Sequence, residues 1–335
     1  MKVIVDDKIP YIHEAISRIA DEVVFLPGNA ITADEVQDAD ALIVRTRTLC
    51  DRRLLDGSKV QFIATATIGF DHLDIEFLHE AGIQWTNCPG CNAGSVAQYI
   101  HSSLILLQQE RGLSLSQSTL GIVGVGHVGS LVAEVGRKLG MKVLLCDPPR
   151  AKRGDIGFIP LAELMNQADV ITFHTPLVRD GEYPTLHMAD EHFFSSLTRV
   201  PIIINTSRGD VIDEQALLSA LEKGIIREAI IDVWEHEPNI NLRLLNRVYL
   251  GTPHIAGYSA DGKANATRMA LEALCRHFKL CNCSFTITPP PAPANANPSD
   301  PLSLYDPRRD SRALKLNPEK FEQLRGNYPL RRETI

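Results

Sequence analysis

The sequence has no long apolar run and no long basic run, and each absence excludes a class of protein. No stretch reaches the roughly 18 apolar residues that a membrane-spanning helix needs. The first apolar run, residues 3–5, is interrupted by Asp6 and Asp7 and is too short for the core of a signal peptide. The 34 Lys and Arg against 41 Asp and Glu give a formal net charge of −7, without a basic track for a nucleic-acid backbone. We therefore expect a cytoplasmic protein that binds neither membranes nor nucleic acid.

Cysteine is scarce and forms no recognisable framework. An odd number, seven, is typical of reduced thiols rather than of a disulfide scaffold. Cys88 and Cys91 form a C-x-x-C pair and Cys281 and Cys283 a C-x-C pair, but a zinc site would need the pairs to meet, and a redox site would need a thioredoxin-like context. We predict structural thiols and no metal site.

Short apolar segments alternate with helical segments twice along the chain. The first alternation runs from "KVIVDD", which is followed by the predicted helix "IPYIHEAISRIA", to "IQWTNCPG", and the second runs from "TLGIVGV" to "VYLGTPH". Apolar runs such as "ALIVR" are typical of parallel strands covered on both faces. A chain of 335 residues also exceeds what one core usually serves. The sequence therefore predicts two doubly wound α/β domains in series.

Helices flank the second alternation, and an arm follows it. Apolar spacing predicts a helix over 94–109 with Ser95 as its N-cap, and another over "SADGKANATRMALEALCRHFKL". The proline-rich "TITPPPAPANANPSDP" predicts a linker or extended arm. After it, "NPEKFEQLRGNY" predicts a short helix with Asn317 as N-cap and Pro318 at its first position.

A glycine-rich turn separates a predicted strand from a predicted helix in "GIVGVGHVGS". Gly124, Gly126 and Gly129 form G-x-G-x-x-G, with His127 and Val128 inside the motif. The first glycine permits a tight turn, the second a close approach of pyrophosphate, and the third close packing of helix on strand. A purely structural turn is the alternative, but the flanking strand and helix favour dinucleotide binding.

Asp147 ends the next predicted strand, at the distance expected of an acid that binds the adenosine ribose. A carboxylate accepts a hydrogen bond from a ribose 2'-hydroxyl and repels a 2'-phosphate. Arg150 and Arg153 keep NADP open, yet both lie beyond two prolines. We predict NAD as the cofactor.

Three polar stretches follow later strands: "NTSRGDVID" with Arg208, "DVWEHEP" with Glu237 and "TPHIAGYS" with His254. Oxidation of a hydroxy acid needs a base for the hydroxyl proton and a cation for the carboxylate, and a carboxylate beside a histidine fixes its tautomer. Taken singly, Arg208 is explained equally well by an ion pair with an acid such as Asp210, and Glu237 and His254 are explained equally well as ordinary loop residues. Together, at consecutive strand ends, they predict a catalytic set.

These stretches, with "GIVGVGHVG" before Asp147 and "HTPL" at 174–177, resemble the D-2-hydroxyacid dehydrogenase family. The resemblance extends from the first strand to about residue 285. It implies that Arg208 binds the substrate carboxylate and that His254, paired with Glu237, accepts and donates the proton.

Some stretches are similar to one member of that family in particular, among them "CDPPRA", "ATATIGFDHLD" and "GYSADGKA". This closer resemblance implies a small phosphorylated hydroxy acid as the substrate, contacted by Thr46, Thr67 and Tyr258. Arg45 or Arg47 would meet the phosphate. It also implies that the cofactor is lined by Thr175, Thr206, Ser207, Arg208, Asp232 and Gly257.

The resemblance also implies a domain order and an oligomeric state. Residues 1–92 and 258–286 would form a flavodoxin-like substrate domain, and 93–257 a Rossmann NAD domain, with a cleft that closes over ligands. Residues 287–335 would form a linker and a short C-terminal arm, the shortened counterpart of a dimerisation region, which predicts a homodimer.

Two rival functions remain at this point. One is another enzyme of the family, acting on 3-phosphoglycerate, glyoxylate or hydroxypyruvate. The other is a binding protein that senses NAD, as the family's transcriptional corepressors do. The intact set of Arg208, Glu237 and His254 favours an enzyme, because a sensor needs no proton-transfer group.

Overall fold

A computed structural model describes residues 1–281, 283–292, 296–297 and 300–333. The chain divides into two units. The first comprises Met1–Asn92 and Ser259–Pro291, and the second comprises Ala93–Tyr258 and Ala292–Ile335. Among the described residues, no helix is long and apolar enough to cross a membrane.

The described residues form eleven strands. In chain order they are β1 (Lys2–Asp6), β2 (Glu22–Leu26), β3 (Ala41–Val44), β4 (Phe62–Thr65), β5 (Gln84–Thr86), β6 (Thr119–Val123), β7 (Lys142–Cys146), β8 (Val170–Phe173), β9 (Ile202–Asn205), β10 (Glu228–Ile231) and β11 (Leu250–Gly251).

Fifteen α-helices connect and flank these strands within the described part of the chain. They are α1 (Ile12–Ile16), α2 (Ala33–Val36), α3 (Arg52–Leu55), α4 (Ile75–Glu80), α5 (Ala93–Arg111), α6 (His127–Lys138), α7 (Pro148–Lys152), α8 (Leu161–Gln167), α9 (Glu191–Ser195), α10 (Glu214–Glu222), α11 (Leu242–Arg247), α12 (Ala260–His277), α13 (Pro301–Leu304), α14 (Pro307–Leu316) and α15 (Phe321–Gly326).

The first unit is built on a parallel sheet of strand order β2-β1-β3-β4-β5. All residues of β3 and β4 are buried, because helices cover both faces of the sheet. One of the two cores includes Phe62 and Ala64 of β4 with Ala270 and Leu271 of α12. The late helix α12 therefore belongs to the first unit although the second unit precedes it in sequence.

The second unit is built on a parallel sheet of order β11-β10-β9-β8-β6-β7. The chain starts at β6, adds β7 on one side and then returns to add β8 on the other, so the direction of winding reverses beside β6. Ligands of doubly wound sheets bind outside the carboxyl ends of the strands at such a reversal. The predicted fold class, two doubly wound parallel sheets, is confirmed.

Two local predictions were wrong. Helix α5 begins at Ala93, so Ser95 lies inside it instead of capping it. The Ser95 hydroxyl is buried and donates to the Ala256 carbonyl at 2.8 Å, so tertiary packing determines its role. The apolar pattern of "IPYIHEAISRIA" also predicted too long a helix, because Tyr11 adopts left-handed backbone angles and α1 spans Ile12–Ile16.

The C-terminal arm, residues 300–333, packs on the second unit through α13, α14 and α15. Leu314 and Phe321 are buried in the same core as Trp234, and Tyr305 in the core that contains Tyr99. Asn317 stands at the predicted cap position but makes no side-chain capping bond, because its Oδ1 accepts from Lys320 Nζ at 3.0 Å instead of from a backbone N–H. The helix after it starts as a 3-10 turn at Pro318–Lys320. Part of the proline-rich linker lies outside the described residues.

Candidate active site

The predicted site residues of the second unit lie in the loops that follow its strands. Because all six strands are parallel, these loops share one edge of the sheet. The loops after β6, β7, β8, β9, β10 and β11 carry, respectively, the glycine motif, Asp147, Thr175, Arg208, Glu237 and His254.

The three glycines of the motif differ in what a side chain at each position would meet. Gly124 has a φ of +86°, and a Cβ there would lie 2.8 Å from the carbonyl of His174. A Cβ on Gly129 would overlap the Gly124 carbonyl oxygen, so this glycine is needed for packing of α6 on the loop. A Cβ on Gly126 would meet no atom of the described residues within 4 Å, which leaves its backbone open to a ligand.

The surroundings of this loop fit a dinucleotide. His127 and Val128 begin α6, so their N–H groups belong to the first turn, which lacks acceptors within the helix. After β8, the buried Thr175 Oγ1 has no hydrogen-bond partner among the described residues. A buried hydroxyl without a partner is costly unless a ligand satisfies it. The open face of Gly126 and the Thr175 hydroxyl both suit the predicted cofactor.

Asp147, predicted to bind the ribose, makes hydrogen bonds to the backbone of two nearby loops. Its carboxylate accepts hydrogen bonds from the N–H of Val125 at 2.9 Å and from the N–H of Arg150 at 3.0 Å, which caps α7. Each oxygen of an ionised carboxylate can accept a second bond, so the contact with ribose remains possible. The Arg150 guanidinium donates to Val125 O and Asp155, which leaves it poorly suited to a 2'-phosphate.

His254 and Glu237 form a hydrogen-bonded pair. His254 Nδ1 lies 2.8 Å from Glu237 Oε2 and 3.1 Å from Oε1. The backbone N–H of Trp234 also donates to Oε1, at 3.0 Å. Burial raises the pKa of Glu237, but the hydrogen bond and charge of His254, the Trp234 N–H and the charge of Arg325 outweigh it and lower the pKa below its usual value. Glu237 is therefore ionised at neutral pH, and its bond to Nδ1 leaves Nε2 of His254 to act as a base.

The backbone around His254 is held by Asp232. His254 has a left-handed φ of +56°, which costs a non-glycine residue about 1 kcal/mol or more. Its N–H donates to Asp232 O at 2.7 Å, and the Asp232 carboxylate accepts from the N–H groups of Ile255 and Ala256, both at 2.9 Å. Burial raises the pKa of Asp232. This aspartate, predicted to line the cofactor, thus also fixes the loop that carries the histidine.

Arg208 lies in the turn after β9. The side chain of Asn205 stabilises this turn by donating to Arg208 O at 2.9 Å and accepting from the Ser207 hydroxyl at 2.8 Å. The Arg208 guanidinium donates to Ser207 O at 2.8 Å, and Asp210 lies 3.9 Å from Arg179. Within the described part of the chain, Arg208 and Asp210 therefore do not form the ion pair that was the alternative.

Three other predicted cofactor and substrate contacts lie on neighbouring loops. The Thr206 hydroxyl lies 3.3 Å from Nδ1 of His174, a half-buried histidine whose pKa desolvation lowers to about 3. Gly257 and Tyr258 follow His254, and the Tyr258 N–H donates to Ile255 O at 2.9 Å. The Tyr258 ring makes an edge contact with Tyr328 of the C-terminal arm.

The predicted substrate residues of the first unit lie at the carboxyl ends of its adjacent strands β3 and β4. Thr46 is exposed after β3, and after β4 the Thr67 hydroxyl donates to Gly69 O at 2.8 Å. Arg45 is engaged by Asp6, which accepts from Nη2 at 2.9 Å and from Nε at 3.1 Å. Arg47 is the exposed arginine of the two.

The C-x-x-C pair lies in the core of the first unit. Cys88 and Cys91 are buried, and the Cys88 thiol donates to the carbonyl groups of Thr65 and Ala266. Burial raises the pKa of Cys88 to about 12. A thiol with so high a pKa is unreactive at neutral pH.

Comparisons with known proteins agree with this geometry. Residues 96–256 match the model of the D-isomer specific 2-hydroxyacid dehydrogenase NAD binding domain. An erythronate-4-phosphate dehydrogenase from Bacteroides fragilis is 62% identical, with 99% of this chain and 97% of the relative covered. An erythronate-4-phosphate dehydrogenase from Cronobacter sakazakii is 44% identical, with 99% and 92% covered. The chain belongs to the erythronate-4-phosphate dehydrogenases, within the D-2-hydroxyacid dehydrogenase family.

Structural similarity extends to solved structures of lower sequence identity. The D-lactate dehydrogenase from Aquifex aeolicus, solved with NAD and lactic acid, superimposes with a TM-score of 0.68 at 24% identity, covering 87% of this chain and 100% of that one. At this identity the likeness shows the fold. The family relationship and the matched domain show that the chain is an NAD-dependent dehydrogenase.

Sequence reasoning missed two arginines beside the site. Arg325 and Arg331 of the C-terminal arm approach Glu237 and the backbone after His254, respectively. Their stretch, "FEQLRGNYPLRRE", carries no strand-end signal, because it follows the sheet in sequence and reaches the site only through tertiary packing.

Proposed function

We propose that the chain oxidises 4-phospho-D-erythronate to 2-oxo-3-hydroxy-4-phosphobutanoate with NAD, a step in the synthesis of pyridoxal 5'-phosphate. The observation that carries the proposal is the likeness, over 99% of the chain, to enzymes named for this substrate. The contact between His254 and Glu237 supports it, because a hydroxyl oxidation needs a base of this kind.

The proposed chemistry divides between a hydride and a proton. NAD, when bound, supplies the acceptor for the hydride that leaves C2 of the substrate. Nε2 of His254 takes the proton of the C2 hydroxyl as the carbonyl forms. The Glu237 carboxylate holds Nδ1 in its protonated form and stabilises the imidazolium that results.

Arginines would meet the charge on the substrate. We assign its carboxylate to Arg208 and propose Thr46, Thr67 and Tyr258 as further substrate contacts. Arg47 is the better candidate for the phosphate, because the Arg45 guanidinium already neutralises the buried Asp6. Removing Arg45 from Asp6 would leave a buried charge, so we do not assign it to the ligand.

The remaining proposals concern domains, assembly and location. We assign substrate binding to the unit that contains β1 to β5 and cofactor binding to residues 93–257. We propose a homodimer in the cytoplasm, and light scattering after size exclusion would test the dimer. A mass of one chain at micromolar concentration would refute it.

The decisive assay compares substrates. Purified enzyme with NAD is given 4-phospho-D-erythronate, 3-phosphoglycerate or an unphosphorylated 2-hydroxy acid, and NADH is followed at 340 nm with hydrazine present to trap the keto product. We expect 4-phospho-D-erythronate to give the highest kcat/KM by at least about tenfold, the value of one well-placed charged contact. Preference for 3-phosphoglycerate or for an unphosphorylated acid would overturn the assignment.

One variant distinguishes the hypothesis of an enzyme from that of a protein that only senses NAD. His254→Asn should bind NAD as the wild type does and lose turnover by roughly a hundredfold or more, because the base is gone. Full turnover in His254→Asn would contradict the catalytic role. NAD binding by a wild-type protein that oxidises none of the acids would favour the sensor.

A further inference from the structure

The C-terminal arm brings a cation to the catalytic carboxylate. Arg325 Nη1 of α15 lies 3.5 Å from Glu237 Oε2, the oxygen that is also 2.8 Å from Nδ1 of His254. Glu237 thus faces two potential cations, one from the loop after β11 and one from the arm. The loop residues belong to the general pattern of the family, whereas Arg325 lies 88 residues beyond Glu237 in sequence.

Arg325 is constrained at this position. Only 28% of its side chain is exposed, and its Nε is buried with no hydrogen-bond partner among the described residues. The guanidinium also interacts with the side chain of Tyr258, the proposed substrate contact. A planar guanidinium that spans a carboxylate and a phenol restricts the rotation of both side chains.

The position of the arm itself is fixed by Arg331. This side chain is 8% exposed and donates to Gln98 Oε1 at 2.9 Å, to Ile255 O at 3.1 Å and to Ala256 O at 2.7 Å. Its guanidinium lies 3.9 Å from the centre of the Tyr305 ring. Because Ile255 and Ala256 directly follow His254, the arm is bound to the histidine loop as well as to the carboxylate.

We propose that Arg325 is a positioning residue of the catalytic pair: it holds the Glu237 carboxylate in the orientation that accepts the hydrogen bond from His254. The proposal rests on the proposed roles of Glu237 and His254. Arg325 acts through Glu237 and takes no proton itself. The C-terminal arm is on this account a part of the active site in addition to any role in assembly.

Two effects of removing the charge can be separated. Without Arg325 the carboxylate loses a restraint, so turnover falls. At the same time a positive charge is removed near the imidazole, so the imidazolium forms more readily and the acid limb of activity moves to higher pH. Other ionisable groups that interact with the pair or with Arg325 include Glu214, Asp232, Tyr258 and Glu322, and they are unchanged by the substitution.

The test uses the full-length enzyme with Arg325→Gln, and Arg312→Gln, an exposed arginine of α14, as the matched control. We expect Arg325→Gln to lower kcat roughly tenfold, to leave the KM for NAD within about twofold, and to move the acid limb of kcat/KM upward by about half a pH unit. Arg312→Gln should match the wild type in all three. A kcat for Arg325→Gln within about twofold of wild type, with an unmoved acid limb, would overturn the proposal.

A second variant covers the case in which Arg325→Gln does not fold, as judged by circular dichroism and thermal unfolding. Arg325→Lys keeps the charge but cannot span Glu237 and Tyr258, so we expect an unmoved acid limb and a kcat about threefold lower. Wild-type kcat in a folded Arg325→Lys would refute the positioning role. All variants are assayed with whichever 2-hydroxy acid the wild type oxidises, so failure of the substrate assignment is distinguishable from failure of this proposal.

Discussion

Replacing Glu237 with glutamine tests the centre of the proposed mechanism. The substitution keeps the size of the side chain and removes the charge that faces His254 at 2.8 Å. Both side chains are mostly buried, 26% and 17% exposed, so the bond is shielded from solvent. A charge-assisted hydrogen bond of this kind contributes about 1.5–3 kcal/mol to the imidazolium that forms during the reaction. Glu237→Gln should therefore lower kcat/KM by about 10- to 150-fold.

The sign of the pH effect follows from the same bond. The carboxylate favours the protonated imidazole, so its loss moves the acid limb of kcat/KM to lower pH, by about one to two units. The assay is NADH formation between pH 5 and 9, with Glu222→Gln, an exposed partner of Arg243, as the control. A loss below about threefold, or an acid limb that moves to higher pH, would refute the reasoning.

Three further predictions concern the cofactor loop, stability and the phosphate. Gly126→Ala should fold normally, and calorimetry should show that it binds NAD about tenfold more weakly than the wild type. Gly129→Ala should instead lower the melting temperature by several degrees, because its Cβ would overlap the backbone of Gly124. Burial and neighbouring carboxylates raise the pKa of Glu214 from 4.5 to about 7. Between pH 4.5 and 7 the folded state therefore holds a proton that the unfolded state releases, so the free energy of unfolding falls as the pH rises. The free energy of unfolding of Glu214→Gln, measured with urea, should not fall over this pH range and should exceed that of the wild type at pH 8 by about 2–3 kcal/mol. If the two free energies of unfolding fall in parallel as the pH rises, this prediction is contradicted. Arg47→Gln should raise the KM for 4-phospho-D-erythronate about tenfold without changing that for NAD, and an unchanged substrate KM in steady-state kinetics would contradict the assignment of the phosphate.

The parts of the fold that could be predicted are those that local sequence determines. A run such as residues 41–44, apolar and fully buried, fits a strand covered on both faces and little else. Parallel strands have their carboxyl ends at the same edge of the sheet, so the loops after β9, β10 and β11 are expected to lie together even when no side-chain contact is known. The pairing of Glu237 with His254 could be anticipated for that reason, since they follow the neighbouring strands β10 and β11.

Long-range packing explains what could not be predicted. Serine is a common N-cap residue, but the Ser95 hydroxyl donates instead to the Ala256 carbonyl, which is 161 residues away in sequence. Asp147 was predicted to bind a ribose. Its hydrogen bond to the backbone of the glycine loop depends on the pairing of β6 with β7, which the local sequence does not specify. The contact between Arg325 and Glu237 has no sequence signal at all, because neither the arm nor its register on the sheet follows from periodicity.

The strained backbone of His254 shows why the arm matters to the site. A histidine with left-handed φ persists only where its surroundings over-determine it. Here the N–H groups of Ile255 and Ala256 are bound by Asp232, and their carbonyl oxygens are bound by Arg331. The backbone of both residues is therefore held from two sides, by Asp232 directly after β10 and by Arg331 of the arm. Loss of the arm would remove one of these two restraints on the loop that carries His254, even where every residue of the strand-end loops is intact.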